Sequence, residues 1–389
     1  MAKTFVTLFP PAGNTHLTKD VGQIPAAMHR FHGYHSQLVA YNNDHDYPAL
    51  DTEAKGLELV FLNKAGKRYF LENAVIHYLE KHAAEIDVLN LYHLDRDTMY
   101  YGNLYKKLNP KGFLYCKLDL YNEFLVAGRK QHSINVFKNA VLRWWEKKFI
   151  RNTDLFSVEN RQGLELMKRR YPACKNKIIY LPNGVNSAFI EGLFSTPAEK
   201  EPLILIMSRI GEGIKNHEVL LRVIPRLRLG NWKIAFVGPV VQRFAPKVAA
   251  FFQEFPHLRH SVEFVGPVTD RKEVYEWYRK SRVTCLTSRH ESFGIALVEG
   301  LYFGNYLLGT DGMSSFNEIS NQSRFGKALP VNNDDALLAA LQAIIDRPEE
   351  VDLLRDEAMA YARRHFTWPV LVQQLEEAIQ KQKLQGDAH

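Results

Sequence analysis

The stretch LILIMSRIGEGIKNHEVLL, Leu203 to Leu221, decides how this chain is read. Its first five residues are apolar without alternation, as expected of a strand covered on both faces. A glycine-containing turn follows, and HEVLL then continues at helical spacing. Gly211 and Gly213 allow close backbone approach. Arg209 and Lys215, flanking that turn, can converge on one anion such as a diphosphate. The turn also reads G-x-G-x-x-N, close to a dinucleotide fingerprint. It lacks the third glycine and the acidic residue about 20 positions on, which argues against a nicotinamide cofactor. Taken alone, the segment is equally an ordinary strand–turn–helix with two surface cations.

Working outward, the same alternation runs through the chain. Strands are expected at Thr4–Phe9, Ser36–Tyr41, Leu57–Leu62, Ile86–Tyr92, Gly112–Leu120, Asp154–Glu159 and Ile178–Asn186, the last ending in an Asn-Gly turn. The pattern restarts after the polar stretch STPAEKEP, with strands at Leu203–Ser208, Trp232–Gly238, Val262–Val268, Val283–Ser288 and YLLGT. Amphipathic helical segments lie between them, and long helices are expected over 334–346 and 349–364. Strands alternating with helices imply parallel sheets covered on both faces. The fold class is therefore α/β, with two Rossmann-like doubly wound domains, over 1–182 and 183–367. The last helix, over 368–389, is compatible with either unit, including a return to the first.

The bulk numbers agree with two units. A chain of 389 residues exceeds one ordinary core, and 46% hydrophobic with 24% charged residues is a globular composition. Three widely spaced cysteines, Cys116, Cys174 and Cys285, form neither a disulfide framework nor a metal motif, which fits a reducing cytosol. The start MAKTFVTLFPPAG lacks the pattern of a cleavable signal.

A second motif follows a strand: SRHESFGIALVEG, Ser288 to Gly300. Glu299 stands where the run reads as buried, and an unpaired charge in an apolar core is expensive. A helix starting near Gly294 would offer the N–H groups of Gly294 and Ile295, with its dipole, to an anion. Glu291 lies ahead of that point, and Glu299 about 7.5 Å along the helix beyond it. Two carboxylates, good acceptors for vicinal hydroxyls, can thus bracket a diphosphate held by Arg209, Lys215 and the helix N-terminus. A nucleotide sugar has that layout.

On these residues the chain resembles a retaining glycosyltransferase of family 4, with the GT-B fold, two Rossmann-like domains facing a central cleft. ESFGIALVE matches that family's E-x7-E motif, and Arg209 and Lys215 match its phosphate-binding pair. DLFSVENRQGLELM…KIIYLPNGVN and VEFVGPV…EVYEWYRKSRVTCLTS resemble its surrounding segments, so the resemblance is strongest from about Asp154 to Phe366.

The resemblance implies roles. Glu299 holds the ribose, Glu291 with the backbone of Phe293, Gly294 and Ile295 holds the sugar, and Arg209 and Lys215 neutralise the leaving diphosphate. Gly13 approaches the diphosphate from the other domain, and the base sits near Val268. Many members carry a histidine at the end of the strand written here LYCKLDL. This chain has Lys117, Leu118 and Asp119 there, so Asp119 or Lys117 faces the reacting centre, or His93 substitutes; Asp119 could equally cap the following turn. No cofactor and no metal are expected, and Asp95-x-Asp97 lacks further ligands. The implied activity is hexosyl transfer from a nucleoside-diphosphate sugar, such as a UDP or GDP sugar, to a glycan or lipid-linked acceptor. Bacterial polysaccharide or lipopolysaccharide synthesis would use such a step. A nucleotide-sugar epimerase on the same fold and a non-catalytic nucleotide-sugar-binding protein are the alternatives.

Charge is uneven. The net +7 of the chain is exceeded by residues 126–177, where thirteen bases face only four acids. Within it, FKNAVLRWWEKKFIRN (137–152) interleaves aromatic and basic residues. Such a helix can lie on an anionic membrane surface, or pack its aromatics on a sheet with its lysines solvated. No nucleic-acid module accompanies it. The expected location is cytoplasmic, or peripheral on the inner face of the membrane.

Overall fold

The computed structural model of the protein describes residues 2–68, 71–119, 136–196 and 198–386. Arg129 and Lys130 of the basic segment lie outside the described residues, as do the side chains of Phe137 and Lys138. The chain forms two compact units: Met1–Asn186 with Trp368–His389, and Ser187–Thr367.

The first unit is built on a parallel sheet of seven strands: β1 (Thr4–Leu8), β2 (His35–Ala40), β3 (Glu58–Phe61), β6 (Val88–Tyr92), β7 (Phe113–Leu118), β8 (Leu155–Val158) and β9 (Ile178–Tyr180). Their order is β3-β2-β1-β6-β7-β8-β9. A short antiparallel pair, β4 (Lys67–Arg68) and β5 (Leu71–Glu72), stands apart from it. Central strands are buried on both faces, as every residue of β6 and β7 is, so their sequences are runs rather than alternations. β2 and β6 flank β1, and the strand order reverses there. The long Trp368–Gly386 helix belongs to this unit. Its Trp368, Leu371, Val372, Leu375 and Ile379 share a core with Ile24, Met28 and Phe113, and Tyr34 Oη donates to Glu376 at 2.9 Å.

The second unit repeats the plan with six parallel strands: β10 (Glu201–Met207), β11 (Lys233–Val237), β12 (Val262–Gly266), β13 (Ser281–Cys285), β14 (Tyr306–Thr310) and β15 (Gly326–Leu329). Their order is β12-β11-β10-β13-β14-β15, so the reversal lies between β10 and β13. Two features differ from the sequence reading. GKAL is an edge strand too short and too polar to show as a run. The expected 349–364 helix is two, Pro348–Asp352 and Arg355–His365, separated by Leu353 and Leu354. Cys116, Cys174 and Cys285 are buried free thiols.

The Ile295–Tyr302 helix lies against β13 through Gly300, where a β-carbon would stand 2.3 Å from Thr284 Oγ1. Alanine there gains about 1 kcal/mol of helix propensity but forces the helix off the strand. Gly300→Ala is expected to destabilise the second unit by about 1–3 kcal/mol, read as a lower urea midpoint at unchanged slope.

Candidate functional site

In open α/β sheets ligands gather where the strand order reverses, beyond the carboxyl ends of the strands. In the second unit that place is formed by the loops after β10 and β13. The β10 loop turns at Gly211, whose φ of 84° is left-handed, and a β-carbon there would meet Phe244 Cβ at 2.1 Å. His217 fills the turn from within. Its Nδ1 accepts the Gly211 N–H at 3.0 Å, so Nε2 carries the proton and donates to Ser208 Oγ at 2.9 Å. The β13 loop ties itself to this turn. Thr287 Oγ1 donates to the carbonyls of Lys215 and Asn216 at 3.0 and 3.2 Å, and the Arg289 N–H donates to that of Ile214 at 2.7 Å. The Arg289 guanidinium donates to the Gly213 carbonyl.

These ties bring together two residues 76 positions apart. Lys215 Nζ lies 2.5 Å from Glu291 Oε2, which also accepts from Ser288 Oγ at 3.2 Å. The two side chains are 21% and 18% exposed, so a ligand can reach both. Arg209 is exposed at the strand end, its side chain without an ion-pair or hydrogen-bond partner among the described residues. Gly294 takes a φ of 88° and caps the Ile295–Tyr302 helix. No protein acceptor meets the N–H groups of Gly294, Ile295 or Ala296 among the described residues. Phe293 is buried against Phe366, and its carbonyl accepts from Ser315 Oγ. That fixes the turn from behind.

Glu299 is the buried charge anticipated from the sequence, and its partner is Arg271, 2.9 Å from Oε1. The same guanidinium donates to Tyr275 Oη at 2.7 Å and lies over that ring at 4.5 Å. Burial and the Glu299 charge push the Tyr278 phenol well up. Arg271, His217 and Thr287 were missed in the sequence. A basic residue four positions before a tyrosine was the available trace of the first; the other two carry no local signal. Val268 lies half-buried two residues past β12.

In the first unit the corresponding loops follow β1 and β6. The Gly13 N–H donates to His16 Nδ1 at 3.1 Å, and the Asn14 N–H to Asp44 Oδ2 at 2.5 Å. Asp44 covers Gly13, since a β-carbon there would lie 2.5 Å from Oδ2. The Phe9 ring stands 5.5 Å from that of His16 and 6.0 Å from that of His93. Burial lowers the His16 pKa. His93 has a φ of 65°, held by its N–H on the Lys117 carbonyl at 2.9 Å and by the Cys116 thiol on its own carbonyl. Such a conformation is costly for a non-glycine residue and tends to occur at functional positions.

Lys117 corrects an expectation. Its side chain is wholly enclosed, with Nζ 3.2 Å from Glu159 and 3.8 Å from Asp20, so it offers no surface to an acceptor. Burial pushes the carboxyls of Glu159 and Asp20 up, and the Lys117 charge opposes that. Asp119, one residue beyond β7, is exposed. Asp95 caps the Arg96–Leu108 helix through the Thr98 N–H, and Asp97 pairs with Arg96 at 2.7 Å.

Comparison with known proteins fits this geometry. Residues 193–365 match the family model described as Glycosyl transferases group 1. A phosphatidyl-myo-inositol mannosyltransferase of Mycobacterium leprae (strain TN) is 27% identical over 263 residues, 65% of this chain. The match spans 64% of that relative, just under two thirds of its length. Sucrose-phosphate synthase from Thermosynechococcus elongatus superposes with a TM-score of 0.71 at 16% identity, over 97% of this chain and 98% of its own. The fold is GT-B. Anabaena HepE, in complex with UDP-glucose, shares it at a TM-score of 0.71 and 12% identity, covering 97% of this chain and 99% of its own. The group 1 match takes in nearly the whole second GT-B unit, including both loops that meet at Lys215 and Glu291.

The enclosed imidazole of His217 makes a testable statement about this unit. Burial pushes its pKa down to about 4, against 6.5 ordinarily. Between those values the unfolded chain holds a proton that the folded chain does not, so stability is lost as pH falls through that window. The loss is about 3 kcal/mol, at 1.36 kcal/mol per unit. Urea unfolding at pH 7 and pH 4 should show wild type losing roughly that much more than His217→Gln.

Proposed function

We propose that the protein is a retaining glycosyltransferase, moving a hexosyl unit from a nucleoside-diphosphate sugar to a hydroxyl of a lipid-linked or glycan acceptor. One observation carries this reading. Lys215 and Glu291 meet beside three unused N–H groups at a helix start, and Glu299 lies further along that helix. The group 1 match over these residues and the fold shared with a UDP-glucose complex support it.

The roles follow from charge. The diphosphate takes the Lys215 ammonium and the Arg209 guanidinium, with the Gly294–Ala296 amides adding donors and the helix dipole. Glu291, released from Lys215, accepts from the sugar hydroxyls, and Glu299 accepts from the ribose. Neutralising the leaving diphosphate is the main catalytic term, because negative charge grows there as the glycosidic bond breaks. No metal is required in this scheme, since two cations and a helix N-terminus meet the charge. Phe293 and Val268 shape the sugar and base ends. In the first unit, His93 and Asp119 serve the acceptor side, and Asp119 is the candidate catalytic carboxylate there.

The M. leprae relative is named for a phosphoinositide acceptor, and a lipid acceptor calls for a way onto the bilayer. No helix among the described residues is long and apolar enough to cross a membrane. In the Val136–Asn152 helix the aromatics divide. Phe149 is buried, Trp145 packs on Tyr100 at 5.2 Å, and Trp144 stands 55% exposed with Lys148 over its ring. Arg143, Lys147 and Arg151 are exposed on the same helix. A tryptophan amid bases suits an anionic surface, and we place the enzyme there, on the cytoplasmic face of the membrane.

Titration calorimetry in EDTA with UDP, GDP, ADP and dTDP should find one preferred ligand, weakened about 10- to 100-fold by Glu299→Ala through loss of hydrogen bonds to a charged group. Binding of none of the four would overturn the donor-site assignment. With the matching sugar nucleotide, net release of nucleoside diphosphate separates transfer from epimerisation, and NMR of the product anomer reports retention. On phosphatidylglycerol vesicles, Trp144→Ala with Lys147→Glu and Lys148→Glu should weaken co-sedimentation about 10- to 100-fold, at about 1 kcal/mol per base removed. Unchanged sedimentation would sink the membrane assignment.

A further inference from the structure

The pair Arg271–Glu299 lies outside the loops that carry the diphosphate, yet one member is the residue proposed to hold the ribose. Glu299 sits on a helix whose neighbours Leu297, Val298, Gly300, Leu301 and Tyr302 are all buried, and its own side chain is 11% exposed. Without a partner, a carboxylate in that setting would be strongly disfavoured in its charged form. Arg271 supplies the partner from the first turn of the Arg271–Lys280 helix. It is itself fixed twice by Tyr275, through the hydroxyl at 2.7 Å and the ring face at 4.5 Å. A planar guanidinium stacked on an aromatic ring presents its N–H groups in a fixed direction. The contact to Glu299 falls on Oε1, and the pair remains partly open, with Arg271 24% exposed.

We propose that Arg271 is a positioning residue that holds the Glu299 carboxylate in a fixed orientation, and thereby sets recognition of the ribose diol of a nucleoside diphosphate. This rests on the donor-site reading above. Discrimination between a ribose and a ribose lacking its hydroxyls is then a property of the pair. Removing Arg271 leaves the carboxylate without its fixed partner and free to turn away, so its acceptor lone pairs no longer meet the diol.

The test compares the best-bound nucleoside diphosphate with its 2′,3′-dideoxy form by calorimetry, for wild type, Arg271→Ala, Arg271→Lys and Glu299→Ala. Wild type should favour the ribose form by on the order of 10- to 100-fold. In Arg271→Ala that ratio should fall toward one, as in Glu299→Ala, while the dideoxy form changes its affinity less than about threefold. Arg271→Lys, which keeps the charge but not the fork, should recover part of the ratio. A ratio kept at the wild-type value, or both ligands weakened equally, overturns the inference and leaves the donor site standing. Absence of any nucleoside-diphosphate binding in wild type overturns both. If Arg271→Ala unfolds, Arg271→Gln carries the same ratio test with most of the volume kept.

Discussion

The Lys215–Glu291 contact exists because the loop after β13 hydrogen-bonds the backbone carbonyls of the loop after β10. Carbonyls of Gly213, Ile214 and Lys215 would otherwise need partners beside a strand terminus, and that of Asn216 holds only the Val219 N–H. Thr287 and Arg289 of the neighbouring loop take them up. His217 seals the turn from below, bridging Ser208 and Gly211. Once these bonds are made, the ammonium and the carboxylate have no separate place to go. A partly buried ion pair of this kind adds little stability by itself, because desolvation offsets much of the attraction. Its value is that both charges stand ready at one end of the sheet, and a ligand bearing a diphosphate and hydroxyls can separate them.

Two buried charges have been given charged partners. Glu299 has Arg271, and Lys117 has Glu159 and Asp20. Such groups are poor stabilisers, since desolvation offsets much of the attraction, but removing one partner strands the other. The two clusters differ in access. Arg271 and Glu299 are partly open, which suits a binding role, whereas Lys117 is sealed and organises the ends of β7 and β8 from inside. His93, with its left-handed backbone, stands near Asp20 of that cluster, and its ring meets Phe9, which in turn meets His16.

A division of labour follows within the chain. The second unit carries the anion-meeting groups, and the group 1 family model matches over residues 193–365, most of its length. The first unit supplies the side chains of His16, His93 and Asp119, together with a helix that exposes Trp144 among basic residues.

The sequence by itself determined the two parallel sheets, because strands buried on both faces must be apolar runs and helices must show a 3.6-residue period. It also marked Arg209, Lys215, Glu291 and Glu299, since each lies just past a strand or in the helix that follows one. Short elements escaped it: GKAL has four residues with an exposed lysine, and such a piece pairs only because β14 offers it an edge. Tertiary structure alone decided who meets whom. Lys215 reaches Glu291 across 76 positions and Arg271 reaches Glu299 across 28. Lys117, legible as a charge at a strand end, turned inward because Glu159 and Asp20 were waiting there. Local sequence sets a residue's backbone and the face it occupies, but a long side chain's destination depends on which charges the fold brings within a few ångströms.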